Sequence, residues 1–186
     1  LNTIVDILSK LHDKDKKISI PGFYDNVKLY SDKERIELKK NSSQDGELFK
    51  KDIDIIDYEG EKQYDYDERI SIRPSLDING IWGGYQGEGA KTVIPSKAYA
   101  KVSMRLVPNQ DWNRISDLFK NYIKSITPKN ILVNIKTHHG GLPYFSDTSS
   151  KEYKAAYMAY KDAYGIAPFS KKEGASIPIV PIIEKL

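Results

Sequence analysis

The chain has 186 residues, 39% of them hydrophobic, with 29 Lys and Arg against 26 Asp and Glu and no cysteine. That length buries one substantial core, or one domain plus a piece of a second, without disulfide staples. A net charge of +3 with both signs interspersed argues against a nucleic-acid surface, and no apolar run of about 18 residues argues for a membrane span. The missing cysteine excludes disulfides and thiolate metal sites. The sequence starts inside an amphipathic pattern without Met, so both ends are read as cut points.

Ile4, Val5, Ile7, Leu8 and Leu11 recur at helical spacing, which predicts a helix to about His12, with Thr3 and Asp6 as a capping box. Ile18 and Ile20 before Pro21-Gly22 predict a short strand and a turn. Residues 24–69 are polar, charged and rich in Tyr, and read as an insertion with short helices over Ser31–Lys40 and Glu47–Ile56. From Leu76 a strand pattern begins, is broken by glycines at 80, 83, 84, 87 and 89, and resumes at Thr92-Val93-Ile94. Ala98, Ala100, Val102, Met104 and Leu106 then alternate with Tyr99, Lys101, Ser103, Arg105 and Val107, the clearest strand in the chain.

After Pro108, Asn109 or Asp111 can cap a helix whose stripe is Ile115, Leu118, Phe119, Tyr122, Ile123 and Ile126. Ile131, Val133 and Ile135 alternate as another strand, and a last helix is expected over Ser149–Tyr164, stopped by Gly165. The order suits an α+β fold: a two-layer sandwich of an antiparallel sheet with helices on one face.

Chemistry is sparse in the residues themselves. The three histidines are His12, at a predicted helix end, and the neighbours His138 and His139, which in one strand point to opposite faces. They do not make a joint metal site. The glycine-rich run 80–89 lacks the Lys-Ser/Thr of a phosphate loop and leads into a strand, so a loop between strands is the simpler reading. Arg105 on the polar face of a strand is either a solvated residue or a fork for a carboxylate, and pattern alone leaves both open. Glu173-Gly-Ala-Ser176 reads locally as a turn with a helix start near Pro178.

Two segments, Asn79-Gly-Ile-Trp-Gly-Gly-Tyr-Gln-Gly-Glu-Gly-Ala-Lys-Thr-Val-Ile-Pro95 and Ala100-Lys-Val-Ser-Met-Arg-Leu-Val-Pro108, closely resemble the lid domain of carnosinase-like and cytosolic non-specific dipeptidases. His139-Gly-Gly and Glu173-Gly-Ala-Ser-Ile-Pro178 follow in the order of that two-zinc superfamily, which includes aminoacylase-1 and succinyl-diaminopimelate desuccinylase. Ala175 and Lys172 stand where the family usually has glycine and arginine.

The resemblance implies a lid and dimerisation domain over 1–143, with the insertion inside it, and a returning piece of the catalytic domain over 144–186. It implies a homodimer, a dipeptide or N-acyl amino acid substrate, and a cytoplasmic hydrolase carrying two zinc ions. Thr92 matches a threonine that contacts substrate across the dimer, Arg105 the arginine that receives the substrate carboxylate, His139 a nearby substrate-contacting histidine, and Ser176 a serine of the returning segment. No metal ligand of the family matches within the chain, so the fragment itself is expected to be inactive and to bind no zinc. The contrasting reading is a non-catalytic dimerisation or interaction module.

Overall fold

The computed structural model describes residues 1–41, 46–174, 177 and 179–183. Helix α1 (Asn2–Ser9) buries Ile7 and Leu8, and Leu11 just beyond its end is fully enclosed. The Thr3–Asp6 capping box does not form. The helix begins at Asn2 with Leu1 as its uncapped N-terminal residue, which puts Thr3 inside the first turn. The helix also stops short of His12, which pairs with Ile18 in a single antiparallel bridge while Ser19 N–H donates to Leu11 O at 2.9 Å. The expected strand at Ile18–Ile20 is therefore only a bridge, yet both isoleucines are buried. Gly22, at φ +80°, turns the chain against the Leu118 side chain.

Among the described residues the insertion, with α4 running just past its end, holds α2 (Asp32–Asn41), α3 (Gly46–Asp52) and α4 (Tyr66–Ser71). Helix α4 is absent from the sequence expectation, although its signal is present: Asp65 caps Glu68 N–H at 3.2 Å and the Glu68 carboxylate receives Asp65 N–H at 3.0 Å. Glu68 is buried, and it also receives the Arg35 guanidinium of α2, one bond measuring 2.9 Å. A second bidentate pair, Arg73 to Glu61 at 2.5 and 3.1 Å, is buried on both sides, unlike Arg35, which is partly exposed. Arg73 lies 4.1 Å from the Tyr64 ring centre and 5.0 Å from that of Tyr24. This segment buries few of its apolar side chains, leaving Leu29, Ile36, Leu48, Phe49 and Ile56 exposed, so paired charges and ring contacts seat it.

Strands β1 (Ser75–Gly83) and β2 (Ala98–Arg105) form an antiparallel pair. A bulge between Ile78 and Gly80 resets the alternation, so Ile78 opposes Val102 and Ile81 opposes Ala100 on one side, while Trp82 opposes Tyr99 on the other. The first side, with Leu76, Ala100, Val102 and Met104, meets α1 and α5 (Trp112–Ile126), whose Ile115 and Ile123 are buried. Asp111, one of the two expected caps, accepts from Asn113 and Arg114 N–H. The result is an α+β arrangement with a two-stranded antiparallel sheet among the described residues.

Two expected strands do not join the ladder. Thr92–Ile94 stays in the loop between β1 and β2, with Thr92, Val93 and Ile94 exposed and Pro95 lacking the N–H that pairing would use. The run Ile131–Ile135 packs Val133 and Ile135 against the core, and Ser116 and Thr137 hydroxyls meet at 2.9 Å to fasten the following residues to α5. Alternation reports which side of a segment is buried; it does not supply a neighbouring strand. Helix α6 (Lys151–Tyr164), capped by the Ser150 hydroxyl and ended by Gly165 at φ +71°, has no buried residue. The short α7 (Val180–Ile183) buries Pro181.

Candidate functional site

Arg105 ends β2, opposite Ser75, on the exposed side of the strand shared by Lys101 and Ser103. Its backbone position is fixed from both directions. The ladder holds it upstream, and two residues later Val107 N–H donates to the Gln110 side-chain oxygen at 3.0 Å while Gln110 Nε2 donates to Phe23 O at 2.8 Å. Asn109 takes the left-handed conformation, φ +73°, that closes this turn. Gln110 is buried and bonded through both its amide oxygen and its amide nitrogen, a role no sequence pattern announces.

The Arg105 guanidinium reaches the returning segment: Nη1 donates to Gly174 O at 3.2 Å. Gly174 itself lies against the Ile70 carbonyl, which a Cβ would approach to 2.4 Å. Lys171 and Glu173 pair at 3.2 Å beside this contact. Ser176 lies outside the described residues.

The other two expected site residues stand apart. Thr92 is exposed in the glycine-rich loop rather than at the start of a strand. His138 and His139 are both exposed and lie in a non-ladder segment, so opposite strand faces do not separate them as expected. Gly140, next in sequence, packs its backbone so closely on the Trp112 ring that a Cβ would meet it at 2.3 Å. Among the described residues the structure thus joins Arg105 to the Glu173–Gly174 loop, and leaves Thr92 and His139 facing solvent on other segments.

His12 is half-buried, and burial lowers its imidazole pKa against the partial opposition of Asp77. Among the described residues no three His, Asp or Glu side chains are grouped to hold a metal ion. Two clefts of about 500 and 280 Å³ lie around the insertion. The first includes Lys50, Tyr58, Tyr66 and Arg69, the second Tyr24, Glu61, Tyr64 and Arg73, and neither is lined by Thr92, Arg105 or His139. In the first, Arg69 donates to the carbonyls of Glu61 and Tyr64, and Lys50 pairs with Glu47 and Asp57; in the second, Arg73 is paired with Glu61.

The sequence profile of the peptidase dimerisation domain of the M20 family matches residues 1–131. The chain is 32% identical over 198 residues to the Cys-Gly metallodipeptidase DUG1 of Candida albicans, covering all of this chain and 39% of that protein. Among solved structures, the M20 family metallo-carboxypeptidase Sso-CP2 of Sulfolobus solfataricus superposes with a TM-score of 0.84 at 28% identity, covering 99% of this chain and 47% of its own. Human carnosine dipeptidase 1 gives a TM-score of 0.77 at 25% identity, covering 99% of this chain and 40% of its own. The chain therefore spans less than half the length of these relatives. No helix of the described residues is long and apolar enough to cross a membrane. With the profile covering the core helices and both strands, the chain belongs to the M20 peptidase dimerisation domain family.

Proposed function

We propose that the whole protein is a two-zinc dipeptidase and that this chain supplies its lid and dimerisation part, over 1–143, together with a returning catalytic-domain segment over 144–186. The zinc ions, bound elsewhere in the whole protein, would activate water for peptide hydrolysis. The homodimer and a dipeptide or N-acyl amino acid substrate follow from the same kinship, and the resemblance to cytosolic dipeptidases makes the cytoplasm the compartment proposed. In this reading Arg105 receives the substrate carboxylate, Thr92 reaches across the dimer, and His139 and Ser176 contact substrate nearby.

The observation that carries the reading is the placement of Arg105: exposed on a rigid strand end, with its guanidinium directed to the Glu173–Gly174 loop. A planar fork matches a carboxylate with two parallel bonds, which the single ammonium of Lys does not reproduce. Arg105→Lys in the full-length enzyme should lower kcat/KM for free-carboxylate dipeptides by on the order of tenfold, with little effect on carboxamide-capped analogues. Equal losses on both substrates would make Arg105 a structural residue. The isolated chain should hydrolyse no dipeptide and show no stoichiometric zinc uptake in calorimetry.

A further inference from the structure

Lys172 brings the returning segment against the insertion. Lys172 is half-buried, with Nζ 4.5 Å from the centre of the Tyr30 ring and 5.6 Å from that of Phe145. Tyr30 belongs to the insertion, immediately before α2; Phe145 and Lys172 lie in the segment after residue 143. An ammonium held by two rings exchanges part of its hydration for attraction to their faces.

The surroundings favour a fixed position. Lys28 also approaches Tyr30, at 4.6 Å, but its charge is taken up by Glu34 at 2.7 Å. Burial lowers the Lys172 pKa, Lys28 adds to the effect, and Glu34 and Glu37 oppose it. Helix α2 is tied through Arg35 to Glu68 of α4, and α4 carries Ile70, whose carbonyl seats Gly174. The loop is therefore gripped at two points: Lys172 by the insertion, and Gly174 by Arg105 and the Ile70 backbone.

We infer that Tyr30 and Lys172 form a latch by which the charged insertion positions the Glu173–Gly174 loop beside Arg105. They are positioning residues for the substrate site, and this role rests on the dipeptidase reading above. The latch itself does not. A loop held in advance avoids the ordering cost of capturing substrate, so loosening it weakens binding before it slows the chemical step.

The test uses the full-length protein carrying Lys172→Met, Lys172→Arg, Tyr30→Leu or Tyr30→Phe, each checked for an unchanged melting curve. Hydrogen–deuterium exchange of the peptide spanning 169–174 should rise about fivefold in Lys172→Met and Tyr30→Leu, and stay near wild type in Lys172→Arg and Tyr30→Phe. With dipeptide substrate the first two variants should raise KM about fivefold at nearly constant kcat, and the conservative pair should restore it. Unchanged exchange in Lys172→Met and Tyr30→Leu overturns the latch, whatever the activity. Raised exchange with unchanged KM overturns the positioning role. If the wild-type protein has no peptidase activity, the dipeptidase reading fails, and the exchange data still decide whether the latch exists.

Discussion

Arg105 Nη1 donates to Gly174 O at 3.2 Å, a contact between the end of β2 and a residue 69 positions later. It depends on Gly174 having no side chain, because a Cβ there would stand 2.4 Å from the Ile70 carbonyl oxygen, a backbone atom with little room to move. Gly174→Ala should push the loop off this seat and break the Arg105 contact without unfolding the core, to which Gly174 contributes nothing. Amide exchange across 171–174 is expected to rise several-fold at constant Tm. Wild-type protection in the variant would show that the seat is not occupied in solution.

The Glu61–Arg73 pair holds the insertion to the body of the fold, and each side chain is only 8% exposed. Removing one partner leaves a charge without hydration or a counterion, so Glu61→Gln or Arg73→Met should each cost about 3–5 kcal/mol of unfolding free energy in urea titrations. The double variant Glu61→Leu with Arg73→Met should cost clearly less than the sum, because no orphan charge remains. Additive losses would mean that the two side chains act independently.

Glu34 is held well below the usual carboxylate range, at about 2, chiefly by the Lys28 ammonium and then by the Ser31 N–H and hydroxyl. Its folded pKa lies below the unfolded value, so its stabilising contribution is complete above about 4.5 and is lost as pH falls toward about 2. A side-chain NMR titration should place the Glu34 midpoint near about 2 and show it rising toward the ordinary glutamate value in Lys28→Met. An ordinary midpoint in the wild type would mean that the Lys28 bond does not persist in water.

Thr92 is exposed in the loop between the strands and has no core to support, so Thr92→Val should change stability by no more than about 0.5 kcal/mol. If its hydroxyl serves a substrate held by the partner subunit, the full-length variant should lose catalytic efficiency while remaining dimeric by analytical ultracentrifugation. Undiminished turnover in an intact dimer would remove Thr92 from the proposed site.

Several elements were legible because one short-range rule settles each. The alternation from Ala98 to Leu106 named the inner face of β2 and put Arg105 on the outer one, and the observed burial follows it residue by residue. The stripe from Ile115 to Ile126 fixed the buried side of α5 and Gly165 the end of α6, while the start of α5 was narrowed to Asn109 or Asp111, of which the structure uses Asp111. The motif around Trp82 and Arg105 carried the family resemblance, and the match over residues 1–131 agrees with it.

Other features depended on distant partners. Ile131–Ile135 has the period of a strand but no ladder partner among the described residues, and Thr92–Ile94 is left in a loop whose Pro95 cannot donate. Helix α4 is short and lacks an apolar stripe; its capping box and the Arg35–Glu68 pair hold it in place. That Gly174 meets Arg105, and that Lys172 meets Tyr30, could not be read from neighbouring residues, because the sequence separations are 69 and 142. The sequence by itself determined the local periodicities and caps, which act over a few residues; the tertiary structure decided which of those segments pair, because contact across the chain depends on how the whole core closes.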